Sequence, residues 1–212
     1  IIAHTVLGPI GWTIGQWVSE VVYAGLTGDF RWLFGLFFGT LYSPLVITGL
    51  HHMSNAIDLQ LIADFGGTNL WPMIALSNIA QGSAVLAIIF LHRGNEKEEQ
   101  VSIPAAISCY LGVTEPAMFG INIKYIYPFV AAMIGSGIAG LVATTFNVMA
   151  NSIGVGGIPG FLSIQTDSMA MFIVCMAIAI VVPFLLTIVF DKKQLFAPKG
   201  EVEDAPVIQT QK

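Results

Sequence analysis

The sequence predicts an all-α, multi-pass integral membrane protein, and three observations carry that expectation. Of its 212 residues, 55% are hydrophobic and only 10% charged, where a soluble domain carries about a quarter charged. The mean hydropathy is +0.79. The few charges are grouped: Arg93, Glu96, Lys97, Glu98 and Glu99 form one cluster, and Asp191, Lys192, Lys193, Lys199, Glu201, Glu203 and Asp204 another. Between them lie apolar stretches of the roughly 20 residues a helix needs to cross the hydrocarbon core.

Spans are expected at 1–26, 32–50, 70–91, 127–150 and 169–190, about five in all by that length rule. The stretch 103–122 is apolar too, but Pro104, Gly112, Glu115, Pro116 and Gly120 interrupt it. Backbone groups freed by such breaks have no partner in lipid, so a re-entrant hairpin buried in protein is expected there. If it enters and leaves by one face, Arg31, Arg93, Lys97, Lys124, Lys192 and Lys193 all fall on one side, the cytoplasmic one. A sixth full span would put Lys192 and Lys193 outside.

The first segment has no initiator Met and no basic n-region, so it does not read as a signal peptide. The chain is expected to open inside or just before a membrane segment, as part of a longer protein. Residues 1–190 read as membrane domain. Residues 191–212 lead into Ala-Pro-Lys-Gly-Glu-Val-Glu-Asp-Ala-Pro, which reads as a cytosolic tail or interdomain linker.

A net charge of −5 without a basic stripe argues against a nucleic-acid partner. Cys109 and Cys175 lie in apolar runs without C-x-x-C spacing, so they read as packing residues. Gly135-Ser136-Gly137-Ile138-Ala139-Gly140 is a literal G-x-G-x-x-G, but inside a span its small residues predict close helix packing, not dinucleotide binding. Gly154-Val155-Gly156-Gly157-Ile158-Pro159-Gly160 has no P-loop lysine. It reads as a tight extracytoplasmic turn or an irregular segment near a substrate path. No cofactor and no metal site are expected: adjacent histidines face different ways on a helix, and no third His completes a set around His51.

Polar groups inside membrane segments cost about 2.5–3.5 kcal/mol each when ionisable, and point to function. One such patch is His51, His52, Asn55 and Asp58; on a helix His51, Asn55 and Asp58 would share a face and could hydrogen-bond sugar hydroxyls. The alternative is the solvated end of the second span, since Asp64, Gly66, Gly67 and Asn69 are loop-like. The other place is Leu111-Gly112-Val113-Thr114-Glu115-Pro116-Ala117-Met118-Phe119-Gly120. Pro116 disfavours helix at Glu115, so the carboxylate is expected on unwound backbone in a protein-lined cavity; the alternative is a structural salt bridge.

Gly49-Leu50-His51-His52 together with Gly112-Val113-Thr114-Glu115-Pro116 resembles the paired signature of the enzyme IIC permeases of the bacterial phosphotransferase system, in their glucose superfamily. Asn122-Ile123-Lys124-Tyr125 and Met149-Ala150-Asn151-Ser152-Ile153-Gly154-Val155-Gly156-Gly157 are similar to its trehalose-type branch, and the likeness runs over 1–190. The resemblance implies a bacterial cell-membrane permease, dimeric as a whole. It would bind a sugar outside, carry it by an elevator-like movement, and present its 6-hydroxyl to phosphocysteine on enzyme IIB, which enzyme IIA recharges. Glu115 would take the catalytic part, orienting the hydroxyl or accepting its proton, with His51, His52, Asn55 and Thr114 as further sugar contacts. No phosphoryl carrier is expected in this chain, because neither cysteine sits in an electropositive, exposed setting. Two rival expectations are a proton-coupled secondary sugar transporter, with Glu115 and a histidine as relay, and a non-transporting membrane scaffold. Trehalose is the expected sugar, with sucrose or maltose as alternatives.

Overall fold

The computed structural model describes residues 8–196. The polar stretch from Ala197 to Lys212 lies outside the described residues, as do Ile1–Leu7. The elements are helices α1 (Gly8–Thr27), α2 (Arg31–Ile47), α3 (His52–Phe65), α4 (Leu70–Leu91), α5 (Glu96–Tyr110), the short α6 (Glu115–Ala117), a π-helical turn (Met118–Asn122), α7 (Ile123–Tyr125), α8 (Tyr127–Thr145) and α9 (Met169–Lys192). Two 3₁₀ turns, Ile158–Ser163 and Thr166–Ser168, precede α9. Helices stand at all five places where spans were expected. By length and apolarity α4, α8 and α9 can each cross a membrane, and α1 and α2 form a pair bent by 118° at the Gly28–Phe30 break.

Helix α4 is the axis, buried over nearly its whole length. Around it α2, α8 and α9 pack through small residues. A β-carbon on Gly39 would stand 2.6 Å from the Ser136 carbonyl oxygen, and one on Gly140 would overlap the backbone of Gly35. The G-x-G-x-x-G of α8 therefore serves helix contact, as small residues do in lipid. Pro183, inside α9, lies against Gly135 in the same way.

Two helical hairpins approach α4 from opposite ends. The first is α2–α3. Gly49, at φ 76°, turns the chain, and α3 returns antiparallel, so that Phe34 from the first turn of α2, Leu61 late in α3 and Leu70 at the start of α4 share one apolar cluster. Thr68 accepts the Leu70 N–H and donates to Asp58, tying α3 to the start of α4. The second hairpin is α5 to α7. It departs from the far end of α4, and its two feet are tied together there: Glu98 bonds His92 at 2.7 Å and accepts the Tyr125 hydroxyl at 2.6 Å. Burial and the adjacent Glu98 push that phenol above its ordinary range. Its tip lies beside Asn78, whose amide donates to the Gly112 carbonyl. The fourteen residues from Asn78 to His92 rise about 21 Å along α4, so the hairpin enters deeply and leaves by the face it entered. Its return arm, 115–125, rises only about 16 Å, too short for a hydrocarbon core of about 30 Å. The re-entrant hairpin expected at 103–122 is present, with its outward arm beginning earlier, at Glu96.

One expectation is corrected. Arg31 does not share an end with the other basic residues: α3 brings the chain back to the level at which α2 began, so Arg31 lies near the start of α4 while Arg93, Lys97, Lys124, Lys192 and Lys193 lie at its far end. The cause is α3 itself. At 14 residues, with His52, Asn55, Asp58, Gln60 and Asp64 on it, it is too short and too polar to read as a membrane segment, so α2 reads from sequence as a complete crossing.

Candidate functional site

The two hairpin tips meet. His51 Nε2 stands 3.9 Å from Glu115 Oε1, one residue from each tip, with the His51 side chain 15% and the Glu115 side chain 47% exposed. His51 precedes α3, and Tyr42 of α2 meets its ring edge-on. At this distance the pair is an open couple, not a closed ion pair. A separation of 3.9 Å exceeds a hydrogen bond, but one hydroxyl at about 2.8 Å from both atoms fits it with an angle of about 90° between the two bonds. That hydroxyl would donate to the carboxylate and accept from imidazole N–H.

Glu115 owes its display to the backbone around it. Helix α5 ends because Gly112 takes φ 98°, a conformation that needs glycine, and because the backbone of Gly156 presses against Gly112 so closely that a β-carbon there would clash. Glu115 then opens α6, with Pro116 next, where a missing N–H costs nothing. Gly156 belongs to the glycine cluster after α8. That cluster is an irregular segment folded back onto the second hairpin's tip, the second of the two readings offered for it, and Gly157 abuts the Tyr110 carbonyl.

The other expected site residues are placed less uniformly. The His52 ring lies 4.0 Å from that of His51 and the residue is exposed. Asn55 is exposed as well, because the buried face of α3 is Ser54, Asp58 and Leu61; the expectation that His51, Asn55 and Asp58 share a helical face is corrected, since His51 precedes the helix and Asp58 turns inward to Thr68. Thr114 is buried behind the tip, its carbonyl accepting the Met118 N–H at 2.8 Å. Cys109 and Cys175 are buried free thiols. The search for polar groups began from ionisable residues and their neighbours and so passed over the amides and hydroxyls of α4. Ser77, Asn78, Gln81 and Ser83 are all buried, and polar side chains in mid-span were the signal that could have found them.

Residues 1–136 match the family described as "Phosphotransferase system, EIIC". The chain belongs to the enzyme IIC family of the phosphotransferase system. Enzymes IIC are multi-pass membrane domains of a system that phosphorylates sugars, working with enzymes IIA and IIB. Among curated relatives, the chain is 55% identical over 186 residues to the "PTS system trehalose-specific EIIBC component" of Escherichia coli (strain K12), covering 88% of this chain and 39% of that protein. It is 49% identical over 188 residues to the component of the same description from Bacillus subtilis (strain 168), covering 88% and 40%. It is 44% identical over 203 residues to the "PTS system sucrose-specific EIIBC component" of Pasteurella multocida (strain Pm70), covering 91% and 41%. The chain thus spans about two fifths of the length of these relatives. No solved structure matches it. Among the described residues, two helical hairpins enter the bundle from opposite ends of α4 and hold the polar couple between their tips.

Proposed function

We propose that this chain is the sugar-binding membrane core of a phosphotransferase permease, the C-terminal part of its enzyme IIC domain over residues 1–190, and that its sugar is trehalose. The observation that carries this reading is the meeting of His51 and Glu115 at 3.9 Å between two hairpin tips, each reached from a different end of the bundle. A sugar hydroxyl held there is polarised by the carboxylate and steadied by the imidazole, which is what transfer to that oxygen requires. Glu115 orients the 6-hydroxyl or takes its proton; the phosphoryl group comes from enzyme IIB, recharged by enzyme IIA, and the product is the sugar 6-phosphate. His52 and Asn55, exposed beside the first tip, and Thr114, buried behind the second, are the further sugar contacts of this reading. The whole permease is a homodimer in the bacterial cell membrane, and residues 191–212 serve as a cytosolic tail or interdomain linker.

Trehalose is supported by the higher identity to trehalose-specific than to sucrose-specific relatives, 55% and 49% against 46% and 44%. The sucrose relatives are near enough to make sucrose the second candidate. The test is uptake with detection of sugar phosphate, in cells expressing the full-length protein, across trehalose, sucrose, maltose and glucose. Trehalose 6-phosphate is the expected product. Uptake that persists without the phosphoenolpyruvate relay and follows a proton gradient would instead make the protein a secondary transporter.

A further inference from the structure

Among the described residues, Gln81 is the side chain of α4 whose hydrogen bonds reach both hairpins. Its amide nitrogen donates to Ser43 Oγ of α2 at 2.7 Å, and its amide oxygen accepts from Asn122 Nδ2 of the π-helical turn at 2.5 Å. Its own carbonyl accepts from the same Asn122 amide at 3.3 Å. Ser43 in turn lies 3.3 Å from Ser77 Oγ, one turn earlier on α4. All of these residues are buried: Ser43 and Asn122 to 0% exposure, Gln81 to 1% and Ser77 to 2%.

Ser43 is two turns before His51 on the arm that carries it, and Asn122 is two turns after Glu115 on the arm that carries that carboxylate. The two arms come from opposite ends of α4, so no local helix geometry fixes their spacing. A primary amide suits the task, since it donates from one end and accepts at the other in a single plane. A charged side chain would be far costlier to bury at this depth. An apolar one would leave the Asn122 amide nitrogen with only its longer bond to the Gln81 backbone carbonyl at 3.3 Å, beside an Oδ1 that already has no partner.

We infer that Gln81 is a positioning residue: it braces the two hairpins against each other from behind and so sets the His51–Glu115 separation on which sugar binding depends. The inference rests on the reading of that couple as the sugar site. It makes Gln81 a determinant of sugar affinity although it lies away from the tips and touches no sugar.

The test uses the full-length permease, purified, in a background where other accessible cysteines are replaced. Spin labels at Leu50→Cys and Val113→Cys, both exposed positions beside the tips, report the tip-to-tip distance, and trehalose binding is measured on the same preparations. Gln81→Leu is expected to broaden the distance distribution and to raise the trehalose dissociation constant about tenfold, the loss of about one buried hydrogen bond, with the protein still accumulating in the membrane. If Gln81→Leu does not accumulate, Ser43→Ala and Asn122→Ser each cut one arm of the brace and are expected to produce the same pair of changes in milder form. A dissociation constant within twofold of wild type, or weakened binding with an unaltered distance distribution, overturns the inference. Glu115→Gln in the same assay separates the two ideas: if it binds trehalose normally, the site reading fails, and the brace is then decided by the distance distribution alone.

Discussion

The two hairpins solve the same problem, carrying a polar residue deep into an apolar bundle, by different physics. The first is held chiefly by contact, with Gly35 and Gly39 of α2 lying directly on Gly140 and Ser136 of α8, backbone against backbone, and Ser43 and Asp58 adding bonds, to Gln81 and Thr68. The second is held by hydrogen bonds: Asn78 to the Gly112 carbonyl, Ser83 to the Tyr110 hydroxyl, Gln81 to Asn122, and Glu98 to Tyr125. The first is built of two regular helices; the second is broken into α5, α6, a π-helical turn and α7. Close backbone packing gives His51 a stiff platform, whereas a hydrogen-bonded broken hairpin can rearrange by exchanging partners. The difference assigns the stiff arm to the histidine and the adjustable arm to the carboxylate.

The largest effect expected is at the tip of the adjustable arm. Glu115→Gln keeps shape and removes charge. It forfeits a charge-assisted hydrogen bond of about 1.5–3 kcal/mol, so trehalose binding should fall by about 10- to 150-fold, with sugar-phosphate formation falling at least as far. Uptake near the wild-type level would remove Glu115 from the site and leave the second hairpin without a role.

A comparable cost, of another kind, is expected on the stiff arm. Gly39→Val places a branched side chain where even a β-carbon stands 2.6 Å from the Ser136 carbonyl. Overpacking costs about 1–3 kcal/mol, and here it should be read as reduced membrane abundance and a lower thermal midpoint. If Gly39→Val accumulates and melts like the wild type while Glu115→Gln is inactive, the claim that contact holds the first hairpin is wrong.

The same contrast explains what sequence could and could not reveal. Both tips were legible because His51, His52 and Glu115 are ionisable or nearly so and stand in apolar surroundings, and the second hairpin was legible because Pro104, Gly112 and Pro116 break a run too apolar for a loop. The first hairpin was not, because its return arm α3 carries no proline and has the composition of a wet surface helix; only its docking beside Phe34 and Leu70 shows where it goes. Asn55 was misplaced because spacing shows which residues of α3 lie on neighbouring faces but not which face turns to the bundle: Ser54, Asp58 and Leu61 are buried, and Asn55 falls outside that face. Gln81 and Asn122 were missed because an amide on its own carries no sign of its partner: Gln81 and Ser43 are 38 residues apart and Gln81 and Asn122 are 41 apart.

On the histidine side the expectation is smaller and asymmetric. His51→Gln replaces a half-enclosed imidazole beside Glu115 and should cost one neutral hydrogen bond, about 0.5–1.5 kcal/mol, or about 2- to 13-fold in trehalose affinity. His52→Gln alters an exposed ring that lies tilted against that of His51, and should change affinity less than twofold. Equal losses in the two variants would mean that both rings touch the sugar and that the first tip is wider than the His51–Glu115 couple alone.

The smallest effect belongs to the feet of the second hairpin. Tyr125→Phe deletes one hydroxyl, leaving Glu98 with its bond to His92 at 2.7 Å, so the carboxylate stays partnered and the loss should be about 1 kcal/mol. Because the feet lie about 21 Å along α4 from the tip contacts, trehalose affinity should move by less than about 1.5-fold. Amide hydrogen exchange should quicken across 94–98 and 122–126, where the two feet are joined, while the 78–85 stretch of α4 stays protected. Faster exchange at the tip as well would mean that feet and tip move as one rigid unit. The hydrogen bonds along α4 would then be redundant, and the second hairpin would be as stiff as the first.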